Sequence, residues 1–323
     1  MARHDIVVIG ASAGGVEALR QLAADIPREL RAAVFVVLHT SPQGRSVLPQ
    51  ILNRVAHFPA VAASHEAEIV PGRMYVAPPD RHLLLDGGRM QLSREPVENR
   101  NRPAIDPLFI SAANAYGPRV AGVILSGYLD DGVAGLAAVK RKGGVAIVQH
   151  PDDAIVPDMP RNALDYLEPD YVLPVRDVAT VLSQLASEPA EEKIIAMAPN
   201  KQQSKPGVFS CPECNGVLWE IDDGKMLRFR CRVGHAFSQG SMYADQGEAV
   251  ERALWAATRA LEERAHLSER LAERSREQKR HTAEERYRER AEASKANAAI
   301  VRDLLLNGDF AGPAEVEDQR TGT

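Results

Sequence analysis

Cysteine is scarce in this chain. Only three of the 323 residues are Cys, at positions 211, 214 and 231, so no disulfide framework is indicated. Also missing are any run of about 18 apolar residues and any signal-peptide pattern, which excludes a spanning helix and leaves the cytoplasm as the expected location. Charge of neither sign dominates: the net charge is −5 and the hydrophobic share 45%, the profile of a soluble protein with more than one domain. Proline is absent from about Gln246 to Leu306, and glycine is absent apart from Gly247. That stretch, rich in Ala, Glu and Arg, is expected to be extended helix.

What is present starts near the N-terminus. Ile6 to Ile9 form a β-branched run of the kind found in buried parallel strands. Gly10, Gly14 and Gly15 permit a tight turn, and Val16 to Ala24 read as a helix that stops before Pro27. Ser12 lies in that turn, at the carboxyl edge of the strand and facing the amides of the helix N-terminus. The same unit also serves dinucleotide phosphates, but such a site calls for Asp or Glu at the end of the second strand. Here that position holds His39, after the apolar run Ala33 to Leu38.

A third apolar strand from Val120 leads to Ser126-Gly-Tyr-Leu-Asp-Asp-Gly, with Asp130 and Asp131 in a turn where Asp also commonly caps a helix. Three strand ends therefore deliver Ser12, His39 and Asp131, the set needed for a nucleophile, a general base and an orienting acid. Their order differs from the serine, acid, histidine order of α/β-hydrolases. Amides near Ala13 and Gly14 are the expected oxyanion donors.

Further segments follow in order: Tyr75-Val-Ala-Pro-Pro-Asp-Arg-His-Leu, Asn101-Arg-Pro-Ala-Ile-Asp-Pro-Leu-Phe and Met159-Pro-Arg. With the serine turn, Val36-Val-Leu-His-Thr-Ser-Pro and the Asp-Asp turn, they make roughly Asp5 to Leu185 resemble the catalytic domain of the chemotaxis protein-glutamate methylesterases, the CheB family. The resemblance implies hydrolysis of glutamyl methyl esters on chemoreceptor helices with release of methanol, and deamidation of receptor glutamines. It maps the triad onto Ser12, His39 and Asp131. Three positions depart from the family: Ala13 replaces a frequent hydroxyl residue, Tyr128 a common Met and Asp130 the usual Asn. Tyr128, Arg102 and Arg161 are read as substrate contacts. Family members usually carry an N-terminal receiver domain over the active site; here the first catalytic strand begins close to Met1, so control by an attached lid is not expected. The competing reading is a catalytically degraded signalling scaffold.

Cys211-Pro-Glu-Cys214 and Cys231-Arg-Val-Gly-His235 have metal-ligand spacing. Two such pairs complete a tetrahedral Cys₃His shell for Zn²⁺, with no open position for catalysis. Val217 to Glu220 and Met226 to Arg230 alternate like two strands around the Asp222-Asp-Gly turn, the pattern of a zinc ribbon. A redox role for the cysteine pair lacks the expected βαβ setting. His65, His82 and His150 join no such constellation and are read as surface or satisfied residues.

The expected architecture is an α/β doubly wound, mostly parallel sheet with helices on both faces over residues 1–186, and a linker over 187–207 long enough to let the next module move. A zinc-ribbon-like module follows over 208–243, a helical segment over 244–307 and a disordered tail over 308–323. In the helical segment Val250, Leu254, Ala257, Leu261 and Leu271 form an apolar seam that thins into alternating charge, which favours a helix or helical hairpin over a long coiled coil. The expected partners are a methylated receptor-like helical protein and a signalling partner for the C-terminal helix. The basic run near Arg274 to Arg280 is interleaved with Glu and lacks aromatic platforms, so nucleic acid is not an expected partner.

Overall fold

The computed structural model describes residues 3–44, 46–187, 203–222 and 226–308. The greater part of the stretch read as linker, the tip of the Asp222-Asp-Gly turn and the C-terminal tail lie outside the described residues. The chain divides into two units, one reaching Met242 and the other beginning at Tyr243.

In the first unit, short runs rich in Val, Ile and Ala form strands β1 (Ile6–Ala11), β2 (Ala33–Leu38), β3 (Ala60–Ala62) and β4 (Arg73–Val76), then a hairpin of β5 (His82–Asp86) and β6 (Arg89–Ser93). Strands β7 (Val120–Ile124), β8 (Val145–Gln149) and β9 (Tyr171–Leu173) follow. The main sheet has the order β3-β4-β2-β1-β7-β8-β9, and every pairing in it is parallel. Every residue of β1, β2 and β7 is buried, because helices cover both faces; their sequences are accordingly continuous apolar runs rather than alternating ones.

Helices α1 (Gly15–Asp25), α2 (Leu48–Asn53) and α6 (Val175–Ser187) share one core with Val7, Ile9, Val34 and Val36. Helices α3 (Ile105–Tyr116), α4 (Val133–Arg141) and α5 (Asp158–Tyr166) share the other with Val8, Phe35 and Val148. The chain winds outward from β1 through β2 and β4 on one side, then returns to build β7, β8 and β9 on the other. The switch point of a doubly wound sheet is where ligands bind, outside the carboxyl ends of the strands. Here it falls at β2, β1 and β7, the three strands that precede His39, Ser12 and Asp131.

A second, four-stranded antiparallel sheet consists of β10 (Gln203–Ser210), β11 (Val217–Asp222), β12 (Leu227–Cys231) and β13 (Ala236–Ser238). Strand β10 begins within the stretch whose composition reads as linker. The ribbon and the hydrolase sheet belong to the same first unit, and β13 hydrogen-bonds to the segment around Asn99. Composition reports solvated side chains and carries no trace of these main-chain contacts.

Helix α7 (Gln239–Glu277), from Tyr243 onward, and helix α8 (His281–Asn307) supply the second unit. The reversal between them is a Schellman motif: Arg280 N–H donates to Ser275 O at 2.9 Å and Lys279 N–H to Arg276 O at 2.9 Å, with Lys279 left-handed at φ 56°. Lysine occupies the place where glycine would have marked the stop. The seam does not thin after Leu271. Leu254, Thr258, Leu261, Ala265, Ser268, Ala272 and Ser275 on α7, and Tyr287, Ala291, Ser294, Ala298, Val301 and Leu305 on α8, keep a heptad spacing of buried or half-buried positions. Glu269–Lys295 at 2.7 Å and Glu262–Arg302 bridge the antiparallel pair. Ala and Ser hardly register on a hydropathy pattern, yet their small size permits this close packing.

Replacing a seam alanine with a larger residue should therefore overpack the hairpin. Ala291→Leu is expected to destabilise it by about 1–3 kcal/mol, whereas Ala296→Leu on the exposed face should stay within about 0.5 kcal/mol. Urea unfolding followed by far-UV circular dichroism checks both, and equal midpoints would contradict the small-residue seam.

Candidate active site

Ser12 follows the last residue of β1 directly, and two contacts hold its turn. Its own N–H donates to Ser126 O at 2.9 Å, and its carbonyl accepts from Gly15 N–H at 2.8 Å. Gly14 takes φ 73°, the left-handed conformation that glycine adopts without strain, and a Cβ there would lie 2.6 Å from Ser126 Oγ. A Cβ on Gly127 would lie 2.8 Å from Ser12 Cβ and collide with Met159 Sδ. Two glycines thus let the β1 and β7 turns close on each other and leave room for the serine.

The three side chains expected to act together do meet. His39 Nδ1 lies 3.1 Å from Ser12 Oγ, and His39 Nε2 lies 2.8 Å from Asp131 Oδ2. The geometry selects one neutral tautomer: Nε2–H donates to the carboxylate, leaving Nδ1 as the acceptor for the serine proton.

Asp131 is 2% exposed and is held by three further donors. Ile105 N–H donates to Oδ2 at 2.7 Å, Asp106 N–H to Oδ1 at 3.2 Å and Asn99 Nδ2 to Oδ1 at 2.8 Å. Ile105 and Asp106 are the first residues of α3, so the carboxylate also receives the positive end of that helix. Asp131 therefore caps a helix, although the capped helix is α3 rather than α4, which follows Asp131 in sequence and is preceded by Gly132. Burial opposes the charge on Asp131, but the His39 hydrogen bond and charge, the Ile105 amide and Asn99 outweigh it and hold the carboxyl below its ordinary range.

Asp106 moves the opposite way. Burial, then the charge of Asp131, pushes it up to about 7, although Arg228 and the Gly135 amide pull it back. Its carboxylate accepts from Gly135 N–H at 2.6 Å and from Asn99 Nδ2 at 3.0 Å. Asp130, beside Asp131, is also buried, which pushes it up. It accepts from the Ser238 hydroxyl and, at 3.2 Å, from Gly240 N–H, both of which partly offset that rise.

The expected oxyanion donors sit in a defined peptide. Ser126 Oγ–H donates to Ala13 O at 2.7 Å, which directs the trans N–H of Gly14 the other way. Among the described residues, none accepts a hydrogen bond from the Ala13 or Gly14 amide. Ser126 is buried and is itself held by Val156 N–H at 2.9 Å.

The three residues read as substrate contacts are placed less simply. Tyr128 is half-buried beside the Asp-Asp turn, and Arg161 is exposed on α5. Arg102 is engaged elsewhere, donating to Asp80 Oδ1 from Nε at 2.9 Å and to Glu95 O at 3.0 Å. His82 is a satisfied buried residue, its Nε2 bonded to Pro96 O at 3.1 Å and its Nδ1 accepting from Ala104 N–H at 3.2 Å. Asn99, Asp106 and Ser126 carry no role in the sequence reading. Each matters through a partner distant in the chain, and no spacing or periodicity announces such a pair.

In the ribbon, one ligand atom from each of Cys211, Cys214, Cys231 and His235 lies within 4.8 Å of every other. Cys214 Sγ and Cys231 Sγ are 3.7 Å apart, and His235 Nδ1 is 3.5 Å from Cys231 Sγ and 3.7 Å from Cys211 Sγ. A tetrahedron with metal–sulfur bonds of about 2.3 Å and a metal–nitrogen bond of about 2.0 Å has edges of about 3.5–3.8 Å. The cluster therefore has the size of a Cys₃His metal shell and can bind a metal ion.

Residues 7–182 match the family described as CheB methylesterase. A Leptospira interrogans protein named "Putative protein-glutamate methylesterase/protein-glutamine glutaminase" is 33% identical over 191 residues, 59% of this chain and 99% of that protein. A Burkholderia lata protein named protein-glutamate methylesterase/protein-glutamine glutaminase 3 is 37% identical over 187 residues, 56% of this chain; the match spans only 51% of that protein. The crystal structure of the Thermotoga maritima CheB methylesterase catalytic domain is similar with a TM-score of 0.55 and 32% identity, covering 57% of this chain and 99% of that one. The family match ends inside α6, so the cysteine cluster and the helices α7 and α8 lie outside it.

Two outcomes follow for Asp131. Asp131→Asn should lower turnover by about 10⁴-fold, the size seen when the acid of a serine triad is neutralised. Because its native pKa is depressed, its ionisation stabilises the fold above the unfolded carboxyl value of about 3.9 and is lost as pH falls through the lower native value. The stability gap between wild type and Asp131→Asn should accordingly be widest near neutral pH and shrink below about pH 4. Thermal unfolding across that range reads the gap; one that widens on acidification would contradict the assignment.

Proposed function

The chain belongs to the CheB methylesterase family, and from that premise we propose that it hydrolyses glutamyl methyl esters on a receptor or receptor-like helical protein, with Ser12, His39 and Asp131 as its triad. The observation that carries this reading is the continuous relay from Ser12 Oγ through His39 to Asp131, at 3.1 and 2.8 Å.

Ser12 Oγ attacks the ester carbonyl as His39 Nδ1 takes its proton. Asp131 stabilises the imidazolium through Nε2–H, and the tetrahedral oxyanion is met by the amides of Ala13 and Gly14. Collapse breaks the carbon–oxygen bond, and His39 returns the proton to the departing methoxide, releasing methanol. Water, deprotonated by His39, then hydrolyses the acyl-enzyme to the glutamate carboxylate and free Ser12. The same steps on a glutamine side chain release ammonia, which is the deamidase activity named for the relatives.

No helix among the described residues is long and apolar enough to cross a membrane. An intact relay with a fully hydrogen-bonded acid favours an enzyme over a degraded scaffold. In this reading Tyr128 and Arg161 remain the substrate-contact candidates, while Arg102 is already paired with Asp80. Cys211, Cys214, Cys231 and His235 hold one structural Zn²⁺; with all four ligands from protein the metal keeps no site for water or ester, so it braces the ribbon and takes no chemical step.

The function is tested by methanol release from membranes carrying methylated chemoreceptors, where wild type should act and Ser12→Ala should not. Equal release by the two would sink the mechanism. Metal analysis of the purified chain should find close to one Zn per chain, lost in the Cys211→Ser, Cys214→Ser double variant. A metal-free native protein would refute the structural site.

A further inference from the structure

The ribbon reaches the catalytic acid by a short route. Its last strand, β13, begins immediately after the cluster residue His235, and the turn from Cys231 to His235 is closed by Cys231 N–H to His235 O at 3.0 Å and Gly234 N–H to Cys231 O at 3.1 Å. From that strand Ala236 O accepts from Asn99 N–H at 2.9 Å, and Ser238 N–H donates to Asn99 Oδ1 at 2.8 Å. An amide whose oxygen is committed to a donor must present its nitrogen on the other side. Asn99 Nδ2 there divides its two protons between Asp131 Oδ1 and Asp106 Oδ2, at 2.8 and 3.0 Å.

The segment that carries Asn99 is a tight turn, closed by Glu98 N–H to Asn101 O at 3.2 Å, Asn101 N–H to Glu98 O at 2.9 Å and Asn101 Nδ2 to Asn99 O at 2.6 Å. Asn99 and Arg100 are successive non-glycine residues with φ of 49° and 68°, a backbone state that persists where its surroundings impose it. The ribbon adds to the turn's own bonds, through the two bonds from Asn99 to β13 and through Arg230, whose guanidinium lies 2.6 Å from Glu98 Oε1. A second contact runs in parallel: the Ser238 hydroxyl and Gly240 N–H both donate to Asp130, the residue before the triad acid.

We propose that the metal-closed ribbon is a positioning element for the triad, acting through Asn99 to fix the Asp131 carboxylate that orients His39. Asn99 bonds to neither Ser12 nor His39 and acts through Asp131, so it is a positioning residue rather than a catalytic one. Metal content thereby becomes a determinant of turnover in an esterase whose chemistry uses no metal. This rests on the reading of Ser12, His39 and Asp131 as the esterase triad.

The test labels Ser12 of the full-length protein with an alkyl fluorophosphonate, which reports serine activation without needing the receptor. Four samples are compared: zinc-loaded and chelator-stripped wild type, and zinc-loaded and stripped Asn99→Ala. A hydrogen bond to a charged group is worth enough to change a rate by about tenfold or more. Stripping zinc should therefore lower the maximal labelling rate by about tenfold with little change in half-saturating probe concentration, and adding Zn²⁺ back should restore it. Zinc-loaded Asn99→Ala should show a similar loss while retaining its zinc and its circular dichroism spectrum. Stripping zinc from Asn99→Ala should then cost little more, because both changes remove one interaction. Multiplying losses would mean that the ribbon acts by another route, and full activity in the stripped wild type or in Asn99→Ala would overturn the proposal. Ser12→Ala separates the two readings: labelling that survives in it defeats the esterase assignment itself, whereas labelling that needs Ser12 but ignores zinc and Asn99 defeats only the positioning role.

Discussion

The structure depends on keeping one carboxylate charged where water does not reach. Asp131 loses hydration on burial, a cost of several kcal/mol for an ion in the protein interior, and four directed donors replace it. Two of them are the leading amides of α3, so the helix must start where β7 ends. A third is His39, so β2 must lie next to β1 and within reach of β7. The fourth is Asn99, whose own orientation comes from the ribbon. The sheet order, the packing of α3 and the docking of β13 all converge on the solvation of this group.

Asp106 shows what happens to a carboxyl beside it without the same support. It has one main-chain donor, a share of Asn99 and Arg228 at 4.0 Å, and it sits against a neighbour that already holds the charge. Two buried carboxyls this close do not both ionise readily, and the proton settles on the less solvated of the two. The division suits a serine triad, in which the acid must remain an acceptor so that the His39 tautomer stays fixed.

The ribbon and the helical hairpin extend the catalytic domain in different physical ways. In the ribbon a few residues buried around Leu218, Phe229 and Phe237 make a small core, and a sheet of that size gains from a metal that ties its two turns together. The hairpin has no large apolar core. It relies on close approach of Ala and Ser along a heptad seam, flanked by ion pairs across the helices.

The strand ends carrying Ser12, His39 and Asp131 were legible because a buried parallel strand is a short apolar run and the residue after it emerges at one edge of the sheet. The ligand set of the ribbon was legible for a similar reason, since a metal demands particular side chains at short spacings. By contrast, the roles of Asn99, Asp106 and Ser238 arise from contacts between segments far apart in sequence. The heptad seam of Ala and Ser escaped a reading tuned to large apolar residues, and the Lys279 reversal lacked its usual glycine. Local chain chemistry by itself determined the parallel sheet, the glycine-rich turn that carries Ser12, the histidine at the end of β2 and the cysteine–histidine cluster. Only the tertiary structure decided which helix Asp131 caps, which way the Asn99 amide points and that β13 of the ribbon bonds to Asn99, because those outcomes depend on hydrogen-bond partners that folding alone brings together.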